Sequence, residues 1–169
     1  TVDIVIPVFN EEKALPRSIM ILADFLKANL RNPWQIVIVD NASTDKTQSV
    51  SEMLCEKYSG INYLHIPQKG RGRALRAAWL DSTADIVSYM DVDLSTGLDA
   101  FPELIDSIAR DGFDIAFGSR LMRGAQTTRG FKRTITSRTL NVLIQLVMRT
   151  KFKDAQCGFK AARRQAGQG

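Results

Sequence analysis

The sequence predicts an α/β domain, a mostly parallel sheet with helices on both faces. Short apolar runs alternate with segments whose apolar residues recur at helical spacing. The connections between them are short. One run, Trp34 to Val39, is almost continuously apolar, as expected of a parallel strand covered on both sides by helices.

The elements follow in order. Val2 to Phe9 reads as a strand, interrupted by Asp3 and closed by Pro7. Asn10 suits the cap of a helix whose first turn carries Glu11 and Glu12. Leu15, Ile19, Leu22, Leu26 and Leu30 keep one face of that helix apolar until Arg31-Asn32-Pro33 ends it. After the Trp34 to Val39 strand come a helix from Asp45 to Tyr58 and a strand from Ile61 to Ile66, in which His65 reads as an ordinary strand residue. Lys69-Gly70-Arg71-Gly72-Arg73 opens a helix that runs from Ala74 to Leu80. Ile86 to Met90 is the next strand, Leu98 to Arg110 a helix and Asp114 to Phe117 a strand. Beyond Gly118 the pattern loosens: a basic loop from Ser119 to Arg129, a helix from Thr134 to Met148, then loop followed by strand between Asp154 and Ala162. The apolar helix with basic ends suits either a core position or a membrane interface.

A length of 169 residues with 44% hydrophobic content suits one domain with a sizeable core. No cationic and apolar leader precedes Thr1, and no apolar run approaches the ~20 residues needed to span a bilayer, so the expectation is a soluble or peripheral protein. Cys55 and Cys157 form neither a metal-ligand cluster nor a disulfide framework, which points to a reducing, cytoplasmic setting. The net charge of +5 is unevenly spread: after Ser119 the only acid is Asp154, among many Lys and Arg residues. Such a block seeks an anionic partner. Nucleic acid is disfavoured, because no recognition motif or base-stacking aromatic series accompanies the charge. Phosphate groups or an anionic membrane surface fit better, each Lys or Arg near a bilayer contributing about 1 kcal/mol.

The most informative motif is Tyr89-Met90-Asp91-Val92-Asp93. In an extended segment Asp91 and Asp93 share a side, and two carboxylates repel by roughly 4 kcal/mol at about 4 Å in a partly screened site. A hard divalent cation, Mg²⁺ or Mn²⁺, neutralises such a pair while substrate phosphate oxygens and water complete its octahedron. A nucleoside diphosphate substrate is thereby suggested. Taken alone, the motif fits better an acidic strand-end turn in which Asp93 caps the next segment. Ligands of open α/β sheets bind beyond the carboxyl ends of the strands, where this sequence places Phe9-Asn10-Glu11, Asp40-Asn41, Asp91-Val92-Asp93 and Gly118-Ser119-Arg120. The first turn lacks the glycine fingerprint of dinucleotide binding. Gly70 and Gly72 lack the Lys-Ser/Thr ending of a P-loop, although their segment can offer N–H groups to phosphate at a helix start.

Taken together, Ile6-Pro7-Val8-Phe9-Asn10-Glu11-Glu12, then Val37-Ile38-Val39-Asp40-Asn41-Ala42-Ser43-Thr44-Asp45-Lys46-Thr47, then Asp91-Val92-Asp93 resemble the successive signatures of inverting family 2 glycosyltransferases of the GT-A, Rossmann-like fold. Phe117-Gly118-Ser119-Arg120, Arg133 with Ser137-Arg138, and Asp154-Ala155-Gln156-Cys157-Gly158-Phe159-Lys160 resemble the branch that glycosylates polyprenyl or dolichyl phosphate. The resemblance implies that Pro7, Phe9, Glu11, Asp40, Asp91 and Val92 border the donor nucleotide, and that Asp91 and Asp93 hold Mg²⁺ or Mn²⁺ on its diphosphate. Ser95 stands where related sequences can add a metal contact. It implies that Arg120, Arg133 and Ser137 hold the acceptor phosphate, a role that suits planar guanidinium donors. Asp93, Arg120 and Asp154 are the catalytic candidates, with Asp154 orienting an arginine or taking a proton. Related chains continue past the position of Gly169, so the expectation is a single catalytic domain, 1–169, cut short at its C-terminal end.

The function so implied is metal-dependent, inverting transfer of a hexose from a UDP- or GDP-sugar to a polyprenyl (dolichyl or undecaprenyl) phosphate, at the cytoplasmic face of an anionic membrane. Two alternatives remain. The same donor site could serve a sugar or lipid hydroxyl acceptor in polysaccharide or glycolipid synthesis of the cell envelope. The chain could also be a nonenzymatic module that binds nucleotide sugars or anionic lipids.

Overall fold

A computed structural model describes residues 1–95, 97–118 and 160–164. The elements run β1 (Val2–Val8), α1 (Leu15–Asn29), β2 (Trp34–Asn41), α2 (Thr47–Lys57), β3 (Ile61–Ile66), α3 (Arg71–Asp81), β4 (Ile86–Tyr89), a 3₁₀ turn (Leu98–Ala100), α4 (Phe101–Ala109), β5 (Ile115–Phe117) and β6 (Lys160–Arg163). The six strands form one sheet in the order β3-β2-β1-β4-β6-β5. β1 pairs in parallel with β2 and β4, and β2 with β3. β6 inserts antiparallel between β4 and β5. The expected mostly parallel α/β sheet is therefore borne out.

Alternation along the strands sorts the two faces. Ile4, Ile6, Ile36, Ile38, Ile61 and Ile86 join Leu15, Ile19, Leu22 and Leu26 of α1, Leu54 of α2 and Phe101, Ile105 and Ile108 of α4 in the main core. On the opposite face Val5 and Val39 pack on Ala74 and Ala78 of α3, whose small side chains admit the helix close to the sheet. Helices thus cover both faces, with α3 alone on the second among the described residues.

Two features near the strand ends follow from backbone chemistry. Pro7 sits inside β1 although it has no N–H. The Val5 carbonyl accepts from Met90 N at 3.1 Å, and the β1–β4 register ends at Val5↔Tyr89. Pro7, two residues on, faces the same edge after β4 has left it, so no ladder bond is lost. The capping role expected of Asn10 is not observed. α1 begins four residues later, at Leu15 with Pro16 in its first turn, and Ala14 is its N-cap residue. Asn10 instead takes a left-handed φ of 56°, and Glu11 and Glu12 belong to the turn before the helix. The helix expected from Thr134 to Met148 lies outside the described residues; the strand expected before Ala162 is β6.

Candidate active site

The carboxyl ends of β1, β2 and β4 lie side by side, and each runs into a turn containing a non-glycine residue with positive φ: Asn10 (56°), Ala42 (59°) and Leu94 (49°). Such conformations cost on the order of 1–3 kcal/mol each and persist only where surrounding contacts over-determine them. Those contacts are visible between the first two turns. Asn10 N donates to Ser43 Oγ at 2.9 Å, while Asn10 Oδ1 accepts from Thr44 N at 2.8 Å. Glu11 N donates to Thr47 Oγ1 at 2.8 Å, and Glu12 N to Asp45 Oδ2 at 3.2 Å. Lys46 N returns a bond to Glu12 Oε2 at 3.0 Å. Asp45 also accepts from Thr47 N at 2.9 Å, ordering the entry to α2. Much of the two motifs therefore fastens the turns together, which fixes where Phe9, Glu11 and Asp40 stand.

Asp40 is 1% exposed. Its Oδ1 accepts from Ser43 N at 3.0 Å and its Oδ2 from Tyr63 Oη at 3.1 Å, with His65 Nδ1 at 3.2 Å. Burial pushes the carboxyl pKa up, but the hydrogen bonds from Ser43, His65 and Tyr63 outweigh it and hold the group below its ordinary value. Burial first, and then the Asp40 charge, pushes the Tyr63 hydroxyl up, so it stays a neutral donor.

The Asp91 and Asp93 pair differs from the extended arrangement expected of it. β4 ends at Tyr89, and Leu94 N bonds to Asp91 O at 3.1 Å, so the pair sits on a turn. Met90 and Val92 are buried in the main core. Asp91 is partly exposed, accepts a short bond from Tyr89 Oη, and has Arg71 Nη1 at 3.4 Å from its Oδ1. Asp93 is exposed and its Oδ1 accepts from Ser95 N at 3.0 Å. Ser95 thus supports Asp93 through its backbone. Burial, and then the bond to Asp91, pushes the Tyr89 hydroxyl up. Among the described residues no three acidic, His or Cys side chains gather in one place. Two hard carboxylates are what Mg²⁺ or Mn²⁺ commonly takes from a protein when phosphate oxygens and water fill its other positions, so the donor set fits either ion.

The start of α3 joins the three strand ends. Gly70 N donates to Asn41 Oδ1 at 3.1 Å, Lys69 Nζ stands 4.3 Å over the Phe9 ring, and Arg71 reaches Asp91. Gly70 takes a φ of +148°, which L side chains rarely adopt, so this junction requires glycine. Phe9 just after β1, Asn41 at the end of β2 and Asp91 after β4 are thereby brought onto one rim. Lys69, Arg71, Tyr89 and His65 are the contributors that spacing alone did not single out. Tyr89 had a signal, being two residues before Asp91; His65, Lys69 and Arg71 reach their partners across the sheet. Arg120, Arg133, Ser137 and Asp154 lie outside the described residues.

Comparison with known proteins bears on the family and the fold. The glycosyltransferase AglD of Haloferax volcanii is 30% identical over 98% of this chain and 27% of its own length. A dolichyl-phosphate beta-glucosyltransferase of Trichomonas vaginalis is 31% identical over 98% of this chain and 54% of its own. The chain thus spans between about a quarter and about half of these curated relatives. Among solved structures, glucosyl-3-phosphoglycerate synthase from Mycobacterium tuberculosis in complex with Mn²⁺, uridine diphosphate and phosphoglyceric acid superposes with a TM-score of 0.67 at 21% identity, over 98% of this chain and 56% of that one. The fold is the GT-A fold. Residues 3–167 match the model of glycosyl transferase family 2, and the chain belongs to that family.

Proposed function

We propose that the chain is the catalytic domain of an inverting, metal-dependent glycosyltransferase that moves a hexose from a UDP- or GDP-sugar to a polyprenyl phosphate at the cytoplasmic membrane face. The observation that carries the donor half is the rim at the carboxyl ends of β1, β2 and β4, where Phe9, Asn41 and Asp91 are tied together by Lys69, Gly70 and Arg71. The acceptor half is supported by the dolichyl-phosphate relative and by the basic block after Ser119. No helix among the described residues is long and apolar enough to cross a membrane.

In this reading Phe9 is a flat apolar wall for the nucleoside, with Pro7, Glu11 and Asp40 around it, and carboxylates accept N–H or O–H hydrogens of base and ribose. Val92, whose side chain is buried in the main core, has its backbone alone to offer there. Asp91 and Asp93 would hold Mg²⁺ or Mn²⁺, which when bound screens the charge on the departing diphosphate. Arg120, Arg133 and Ser137 hold the acceptor phosphate with one oxygen free to attack the anomeric carbon. The new C–O bond forms as the bond to the nucleoside diphosphate breaks, and the configuration inverts. A phosphate nucleophile is already ionised at neutral pH, so Asp154 orients an arginine rather than removing a proton.

The test uses the full-length protein with UDP-glucose or GDP-mannose and a polyprenyl phosphate. Asp154→Asn is expected to retain much of the transfer. A folded variant with unchanged donor and acceptor affinity but a rate lowered ~10²–10⁴-fold would mean loss of a general base, and would replace the phosphate acceptor with a hydroxyl.

A further inference from the structure

We propose that Arg71 is a handover cation: it neutralises Asp91 while the donor site is empty, and transfers to the diphosphate when metal and nucleotide arrive. This rests on the donor-site reading above. Arg71 Nη1 stands 3.4 Å from both Asp91 Oδ1 and Tyr89 Oη, at the long limit of hydrogen bonding, and its side chain is 69% exposed. The charge is therefore near the carboxylate without being firmly held by it. Asp91 is only 27% exposed and its other close neighbour, Tyr89, is a buried neutral hydroxyl. A partly buried carboxylate whose short hydrogen bond comes from a neutral hydroxyl is stabilised by a nearby counter-charge, and Arg71 supplies it.

The backbone below Arg71 is fixed while the side chain has room to move. Gly70 is anchored to Asn41, and Arg71 is the first residue of α3. A divalent ion on Asp91 and Asp93 would place two positive charges beside the guanidinium and displace it. The diphosphate that accompanies the ion presents oxygens at the same rim, and a guanidinium offers them planar paired donors. Arg71 thus opposes metal binding alone and favours metal together with nucleotide, which couples the two ligands. Lys69, on the same segment and placed over Phe9, keeps a second cation beside that rim.

The coupling gives opposite signs that a merely structural residue would not produce. In the full-length protein, Mn²⁺ alone is titrated by electron paramagnetic resonance, and UDP or GDP is titrated in saturating Mn²⁺ by calorimetry. Wild type, Arg71→Ala, Arg71→Gln and Arg71→Lys are compared, with thermal unfolding as the check on folding. Removing the guanidinium is expected to tighten Mn²⁺ alone by about two- to five-fold, the scale of an exposed ion pair. It is expected to weaken nucleotide in the presence of Mn²⁺ by about ten-fold or more, the scale of a charge-assisted hydrogen bond. Arg71→Lys should restore part of both. Parallel weakening of both ligands, or no change in either, overturns the handover while leaving the donor site standing. Wild-type protein that binds neither UDP nor GDP in any metal condition overturns the donor-site reading and the handover with it.

Discussion

Asp3, at the amino end of β1, and Asp40, at the carboxyl end of β2, are both almost wholly buried, yet their surroundings differ in kind. Asp3 closes a polar ring. Its Oδ1 accepts from Gln35 Nε2 at 2.7 Å and its Oδ2 from Ser82 Oγ at 2.6 Å, while its carbonyl accepts from Ser88 Oγ at 3.0 Å. Gln35 and Ser82 are in turn used by Asn62 and Ala84. A cleft of about 180 Å³ opens beside this ring, lined by Val2, Pro33, Trp34 and Thr83 among others, but the carboxylate within it is already satisfied. Around Asp40 the chain instead enters left-handed turns, and after β4 Asp91 keeps part of its carboxylate exposed beside Arg71 while Asp93 is exposed. Burial of a carboxylate therefore does not mark the site. Incompletely satisfied charge beside strained turns is what sets the candidate site apart, and it occurs at the carboxyl end.

The strongest way to break this contrast is at Asp93. Asp93→Ala is expected to abolish metal-dependent nucleotide binding and, in the full-length protein, to lower transfer by on the order of 10²–10³, the scale of losing one preorganised electrostatic stabiliser. Calorimetry with UDP and GDP in Mg²⁺, Mn²⁺ or chelator reads the binding. Equal affinity in every condition would remove the metal from the site.

Next in size are the residues proposed for the acceptor phosphate. Arg120→Ala and Arg133→Ala should each weaken polyprenyl-phosphate use by about 1.5–3 kcal/mol, the cost of a charge-assisted contact, with nucleotide affinity nearly intact. Loss of nucleotide binding in both variants would move these arginines to the donor side.

Asp3→Ala is the mirror experiment. It strands the Gln35 amide and the Ser82 hydroxyl inside the amino-end ring, so the midpoint of urea unfolding should fall by an amount equivalent to about 1–3 kcal/mol. Nucleotide affinity should not change, and a weakened nucleotide in a folded Asp3→Ala protein would erase the distinction between the two ends of the sheet.

The sheet was largely readable from periodicity, because its strands are short apolar runs with helices between them. Ile61–Ile66 appears with the expected bounds, and most other ends shift by one or two residues where caps and turns compete, while α3 begins three residues earlier, at Arg71, and a 3₁₀ turn occupies Leu98–Ala100 ahead of α4. α1 shifts further, since the Asn10 side chain is used by Thr44 instead of by a helix end. The place of β6 was not readable: a four-residue segment carries little pattern, and its antiparallel pairing with Ile86–Tyr89 joins residues far apart in sequence. The same limit applies to the site. Asp91, Asp93, Phe9 and Asp40 stand at strand ends and could be named from order alone, whereas His65, Lys69 and Arg71 matter through contacts across the sheet that no spacing rule reports.

The smallest expected effect tests the protected carboxylate next to the rim. The Asp40 carboxyl lies below its ordinary value of 3.8 because hydrogen bonds from Ser43, His65 and Tyr63 outweigh the opposing effect of burial. A group with a depressed folded pKa stabilises the fold at pH values above the unfolded pKa, and that stabilisation is lost as pH falls through the folded value. Tyr63→Phe removes one donor to the charged form and leaves His65 and Ser43 in place. At neutral pH the variant should therefore be less stable by about 0.5–1.5 kcal/mol. Below pH 3.8 the difference from wild type should shrink, because the carboxylate whose charge the hydroxyl favoured becomes protonated. Urea unfolding of both proteins at a series of pH values measures this, and His65→Gln run in parallel separates the ring from the hydroxyl. A Tyr63→Phe penalty that stays constant through the acid range would mean that the hydroxyl contributes by packing alone, and that Asp40 is held ionised by Ser43 and His65.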